Sequence, residues 1–349
     1  MQRSDATEIW LDRFARRLGC GWLADRLPGD LPPSYVYAIV TVGLLSIAHT
    51  TWKYFAGYPM TYVRNPYMLA QPVVLFAAVY GSRRLTMRAR RALDEMAVAE
   101  RASDPDALYD VVPEWLPWLF FVVGAVFGLV RAVVAVGLPT IVETTGYPGL
   151  VAWLVINPFV FTPIGAQFLA VYLSVEVRLP WRLSRSDVGI DFLDPEGLGG
   201  LRPVGELVKH AYYYLAVGLV AFALVLYSPF VDTPLYGATA FTGAVFTAAW
   251  VVTIASVAFA VLVLHRFMHR EKRAELRRLT ALVNDSVEDR WDVAAFSIPD
   301  ERREEVERLR HRMDMVSATN EYPATFNIWS QLLLSIAIPK AVQLLLAGL

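Results

Sequence analysis

YGATAFTGAVFTAAWVVTIASVAFAVLVL, Tyr236 to Leu264, runs straight into HRFMHREKRAELRRLTALVNDSVEDR, His265 to Arg290. A helix crosses a ~30 Å hydrocarbon core in ~20 apolar residues, and nothing at the junction breaks a helix. One helix is therefore expected to leave the membrane and continue into water. A second charged helix, near Asp300 to Thr319, leads back to a closing apolar segment, FNIWSQLLLSIAIPKAVQLLLAGL, Phe326 to Leu349.

Working outward, apolar runs recur at about 34–52, 67–81, 115–137, 150–175 and 210–227. Together with 236–264 and 326–349 they predict an all-α, polytopic membrane bundle of seven transmembrane helices with cytosolic helical extensions. The organisation expected is an amphipathic N-terminal helix in 1–33, six spans within 34–264 with cytosolic loops at 82–113 and 178–209, a cytosolic extension at 265–325, and the last span at 326–349. The N-terminal helix, 5–27, repeats Ile9, Trp10, Phe14, Leu18 and Trp22 at helical spacing between arginines, which suits either the lipid interface or packing on the end of the bundle. The opening residues MQRSDATEIWLDRFARR lack the apolar core of a secretory signal.

Of the 349 residues, 56% are hydrophobic, 13% aromatic and 19% charged, and the net charge is -1. Nucleic acid is not expected as a partner, because phosphate binding needs a concentrated basic field. Topology accounts for the clustering of cations. Of 32 Lys and Arg, all but Lys53, Arg64, Arg131 and Lys340 lie in 1–33, 82–113, 178–209 and 265–325. The positive-inside rule then puts the N-terminus in the cytoplasm and the C-terminus outside, in a multi-pass protein of the cell membrane.

Polar groups inside hydrocarbon are costly and face the bundle interior or a water-filled path. In the last span Asn327, Gln331 and Ser335 follow one another at i+4 and share a face. With Lys340 and Gln343 they are candidates to line a pore. Interhelical hydrogen bonding is the other account of the row, and Lys340, nine residues from the end, is placed to snorkel. Arg131, Asn157 and Gln167 are the polar groups of the third and fourth spans, and would surround a midplane site in a transporter. Arg131 calls for a partner such as Glu143, Asp232 or Glu176. Asn157-Pro158 and Thr162-Pro163 predict a kink or carbonyls opened toward an ion.

His265 and His269 stand four apart, a spacing that can hold a metal, but interleaved arginines and the lack of a third ligand favour no metal. The turn Asp194 to Leu201 has three glycines without the Lys-Ser or Lys-Thr of a phosphate loop. Leu276, Leu279, Leu282 and Val283 form an apolar stripe that must be covered by another helix of the chain or by a second subunit. Cys20 stands alone, which excludes an internal disulfide. No hydrolase motif is present, so neither an enzyme nor a cofactor is expected.

Seven spans, an inside N-terminus, a sixth helix that projects into the cytosol and a short last span together resemble the insect odorant and gustatory receptor channels and their seven-helix relatives. Gustatory members carry Thr-Tyr, a five-residue gap and Gln-Phe at the last helix. Thr325, Phe326 and Gln331 are similar here, with a gap one residue shorter, Phe for Tyr and Leu332 for Phe. The resemblance implies a ligand-gated, cation-conducting tetramer lined by its last helix. The expectation is accordingly a homo-oligomeric ion channel in the lipid bilayer, assembled through helices 265–320 and responding to a small ion or ligand. A secondary transporter and a non-conducting sensor or scaffold are the alternatives.

Overall fold

In a computed structural model, the chain is described for residues 8–58, 60–227, 240–286, 298, 300–322, 337–338 and 340–345. These residues are almost wholly helical, and no strand occurs among them. The principal helices are α1 (Trp10–Arg17), α2 (Pro33–Phe55), α3 (Ala70–Glu95), α4 (Trp115–Val136), α5 (Leu138–Leu183), α6 (Arg202–Leu226), α7 (Ala240–Asp285) and α8 (Asp300–Ala318). Five of them, α2, α4, α5, α6 and α7, are long and apolar enough to cross a membrane. The protein is an all-α membrane protein.

The expected second span is not among those five. Its apolar half, Ala70 to Tyr80, continues without interruption into Arg83, Arg84, Arg88, Arg90 and Arg91 within the single helix α3. Most of 326–349 lies outside the described residues.

Lipid-facing character is clearest in α4, where only 11% of the most apolar window is buried. The core instead lies where α3 packs against α5 and α6, around Leu85, Ile164, Val175 and Leu207. The segment expected as a loop after the third span is helical from Leu138, with a bend at Gly146 (φ 70°, ψ -173°). That left-handed φ suits glycine, and a Cβ there would overlap the Tyr58 ring.

The N-terminal helix is shorter than its apolar pattern suggests. It breaks at Gly19 (φ 86°) into Trp10–Arg17 and Cys20–Ala24. α1 packs on the bundle: Leu11 and Ala15 are fully buried, and Trp10 and Phe14 interlock with Trp118 and Phe121. Asp12 fastens it. Its carboxylate accepts the backbone N–H of Ile9 (3.0 Å) and of Ser34 (3.0 Å) and pairs with Arg83.

α7 is the continuous rod that its sequence predicts. Its charged half forms a hairpin with α8, in which Leu276, Leu279 and Val283 pack on Leu309, Met313 and Val316. Most of the apolar stripe is thus covered within the chain, although Leu282 stays exposed. Lys272 Nζ donates to the carbonyls of Ser317 (2.8 Å) and Thr319 (2.7 Å), capping the end of α8 with a cation.

Candidate functional site

Helix geometry and two proline-rich stretches shape a cavity of about 510 Å³ between α2, α3, α5 and α6. In α5 the wider π-helical segment Ala152–Phe161 contains Pro158. Proline lacks an N–H, and such bulges re-aim side chains, often at functional sites. Trp153, Ile156, Asn157 and Phe161 of this segment all line the cavity. Arg131, where a second π segment (Arg131–Val136) begins in α4, also lines it.

Opposite stand His49 and Lys53, four residues apart on α2 and so on one face. His49 Nε2 donates to the Pro148 carbonyl (2.9 Å), which fixes that nitrogen as the protonated one. Arg131 lays its guanidinium over the Trp153 ring, 5.1 Å from its centre, an arrangement that a cation favours. Gln71 and Tyr62 add amide and phenol groups, and Tyr62 bonds the Ser46 side chain. Leu75, Phe222 and Leu226 supply apolar wall. No Asp or Glu lines the cavity among the described residues. Two basic side chains, Lys53 and Arg131, and an imidazole thus line the cavity, in a low-dielectric setting where charge interactions are strong.

Of the expected intramembrane residues, Arg131 and Asn157 come together here and Gln167 does not. Gln167 is buried elsewhere, its Oε1 accepting the Leu11 N–H (3.1 Å) in the first turn of α1. The Asn157 carbonyl accepts both the Thr162 N–H and the Thr162 hydroxyl (2.8 Å) within α5. His49 and Lys53 were not singled out from the sequence. Their i, i+4 spacing at the end of a span was the available signal.

Of the expected pore residues, Asn327, Gln331 and Ser335 lie outside the described residues. Lys340 Nζ donates to Gln343 Oε1 (2.7 Å), and Gln343 Nε2 donates to the Tyr227 hydroxyl (2.8 Å). Lys340 also stands over the Trp250 ring, 5.9 Å from its centre.

The histidine pair of α7 meets an acidic partner that its spacing did not reveal. His269 Nδ1 bonds Glu321 Oε2 and His265 Nδ1 donates to the Glu321 carbonyl, both at 2.9 Å, and His265 stacks on Tyr322. No cluster of three or more metal-type ligands occurs among the described residues. The glycine turn closes on itself: the Asp194 carboxylate accepts the N–H groups of Glu196, Leu198 and Gly200. Partial burial works to raise the Asp194 pKa, but these donors and Arg202 outweigh it and hold the carboxyl below its ordinary value. Its donor groups are thereby consumed, so the turn is a structural loop.

No family model, curated protein or solved structure matches this chain.

Proposed function

We propose that the protein carries small amphipathic organic anions across the membrane through the cavity between α2, α3, α5 and α6. The observation that supports this most is the joining of Lys53, Arg131 and His49 with apolar wall around one half-open space of about 510 Å³. Ligand sites of ~300–1,000 Å³ combine apolar lining with a few placed polar groups, and cations there select a carboxylate or a similar anion. In this reading the basic layer faces the cytoplasm and the host is the cell membrane. The span count is seven, with 67–81 and 326–349 completing the five apolar helices.

Proteoliposomes loaded with benzoate should take up radiolabelled benzoate by counterflow, with saturation, while benzylamine, its cationic counterpart in size, is not carried. A charged hydrogen-bonding contact is worth ~1.5–3 kcal/mol, so Lys53→Gln or Arg131→Gln should weaken benzoate binding about tenfold or more. Equal transport of benzylamine, or unchanged affinity in both variants, rejects the reading.

A second reading is the homo-oligomeric channel lined by the last helix, and what supports it is the unbroken α7, whose apolar half runs on into a long charged half. It predicts unitary current steps in planar bilayers that change in Gln331→Leu and Ser335→Leu.

A further inference from the structure

Away from the cavity, α5 has a second π-helical segment, Ser174–Arg178, which carries Glu176 into the contact region between α5, α6 and α7. Glu176 is completely buried, and neither carboxyl oxygen has a hydrogen-bond partner. Buried polar groups are nearly always bonded, and an orphan in a native fold marks strain or function. This one has company. The hydroxyls of Tyr212 on α6 and of Ser174, both fully buried, are unpartnered as well. Tyr172 bonds Ser256 of α7 (2.8 Å) and lies within electrostatic reach of both Glu176 and Tyr212.

Among the described residues no cation answers the carboxyl. Arg178, two residues on, turns to Asp110 (2.9 Å). On α6 Lys209 pairs with Glu206, and His210 bonds the Glu206 carbonyl. On α7 His265 and His269 are held by Glu321. The groups left around Glu176 are phenols and hydroxyls. An isolated buried carboxylate costs several kcal/mol, so the arrangement described holds the neutral acid. The Tyr172 phenol, within electrostatic reach of the carboxyl, is the donor that the ionised form can recruit by turning from Ser256.

We propose that Glu176 is a proton-exchanging site inside the bundle, separate from the anion cavity. The proton leaves the carboxyl for water and returns to it. Tyr172 donates to the carboxylate in the interval. Such a site would give an anion carrier a proton to move with its anion, and that use rests on the transport reading. Proton exchange itself does not.

The test is labelling of the full chain in liposomes with dicyclohexylcarbodiimide, which modifies buried protonated carboxyls, followed by peptide mass spectrometry. Across roughly pH 5 to 9, where buried carboxyls can titrate, the Glu176 adduct should form in acid. Above its midpoint it should decline about tenfold per pH unit, as one proton requires. Tyr172→Phe, which removes the recruited donor, should move that midpoint upward. Labelling that does not vary with pH overturns the proposal by showing a permanently protonated structural acid. No adduct at any pH, with Glu176 labelled normally in the unfolded chain, overturns it by showing a sealed group. Protection by sodium at constant pH overturns it in favour of a metal-cation site. Failure of benzoate transport leaves this experiment unaffected, so the two proposals fall separately.

Discussion

Two residues that do not line the cavity, Gly146 and Asp12, hold helices that do. Gly146 turns α5 where no side chain fits, at a left-handed φ and against Tyr58. Gly146→Ala adds ~1–2 kcal/mol of backbone strain to the steric overlap, and should lower the thermal unfolding midpoint. Tyr58→Ala in the same chain should restore the steric part and leave the backbone part. Asp12 is only 2% exposed and is the counter-charge of a half-buried Arg83. Removing one member of such a pair costs ~3–5 kcal/mol, so Asp12→Asn should loosen α1 from the bundle, read as protease cleavage near the N-terminus. Arg83→Met in that background should recover stability, because no charge is then left without its partner.

At the scale of elements, two carboxyls pin the charged end of the bundle. Asp194 folds the turn that meets the end of α8 through the Asn320 N–H to Gly197 carbonyl bond (2.7 Å). Glu321 ties α7 to the residues after α8, and its hydrogen bond from His269 holds its carboxyl below the ordinary value. Both folded-state values are depressed, so both contributions are complete above the ordinary carboxylate range of about 4. They are lost as pH falls through the folded values. Protection of the Leu198 and Gly200 amides against hydrogen exchange, taken relative to their intrinsic rates, should therefore be high at neutral pH and fall only in acid, and Asp194→Asn should remove it throughout. The long α7 could be read directly from its uninterrupted sequence, because periodicity and the absence of breakers are local properties. The bend at Gly146 and the break at Gly19 could not, since each depends on what the neighbouring chain permits. The cavity was half legible: Arg131 and Asn157 are conspicuous as polar groups in apolar runs, whereas Lys53 looked like a span end until α5 was seen packed beside it.

For the whole molecule, orientation is the property on which the transport reading leans. With Cys20 replaced by Ser, cysteines introduced at Ala56 and at Ser103, both exposed positions, sample the two ends of the bundle. A membrane-impermeant maleimide applied to intact cells should label Ala56→Cys and spare Ser103→Cys until the cells are opened; the reverse result would invert the topology. The hairpin buries most of its own apolar stripe, so self-association is not needed to cover it. Mass measurement in mild detergent separates a single-chain carrier from an assembled channel.

An unbroken helix of 46 residues is about 70 Å from tip to tip at ~1.5 Å per residue. Rigid along its length, α7 works as a pointer: a few degrees of rocking where it contacts Tyr172 become a swing of several ångströms beyond the headgroups. A fluorophore on its distal end would thus broadcast events deep in the lipid, and any soluble protein that grips that end would sense them too.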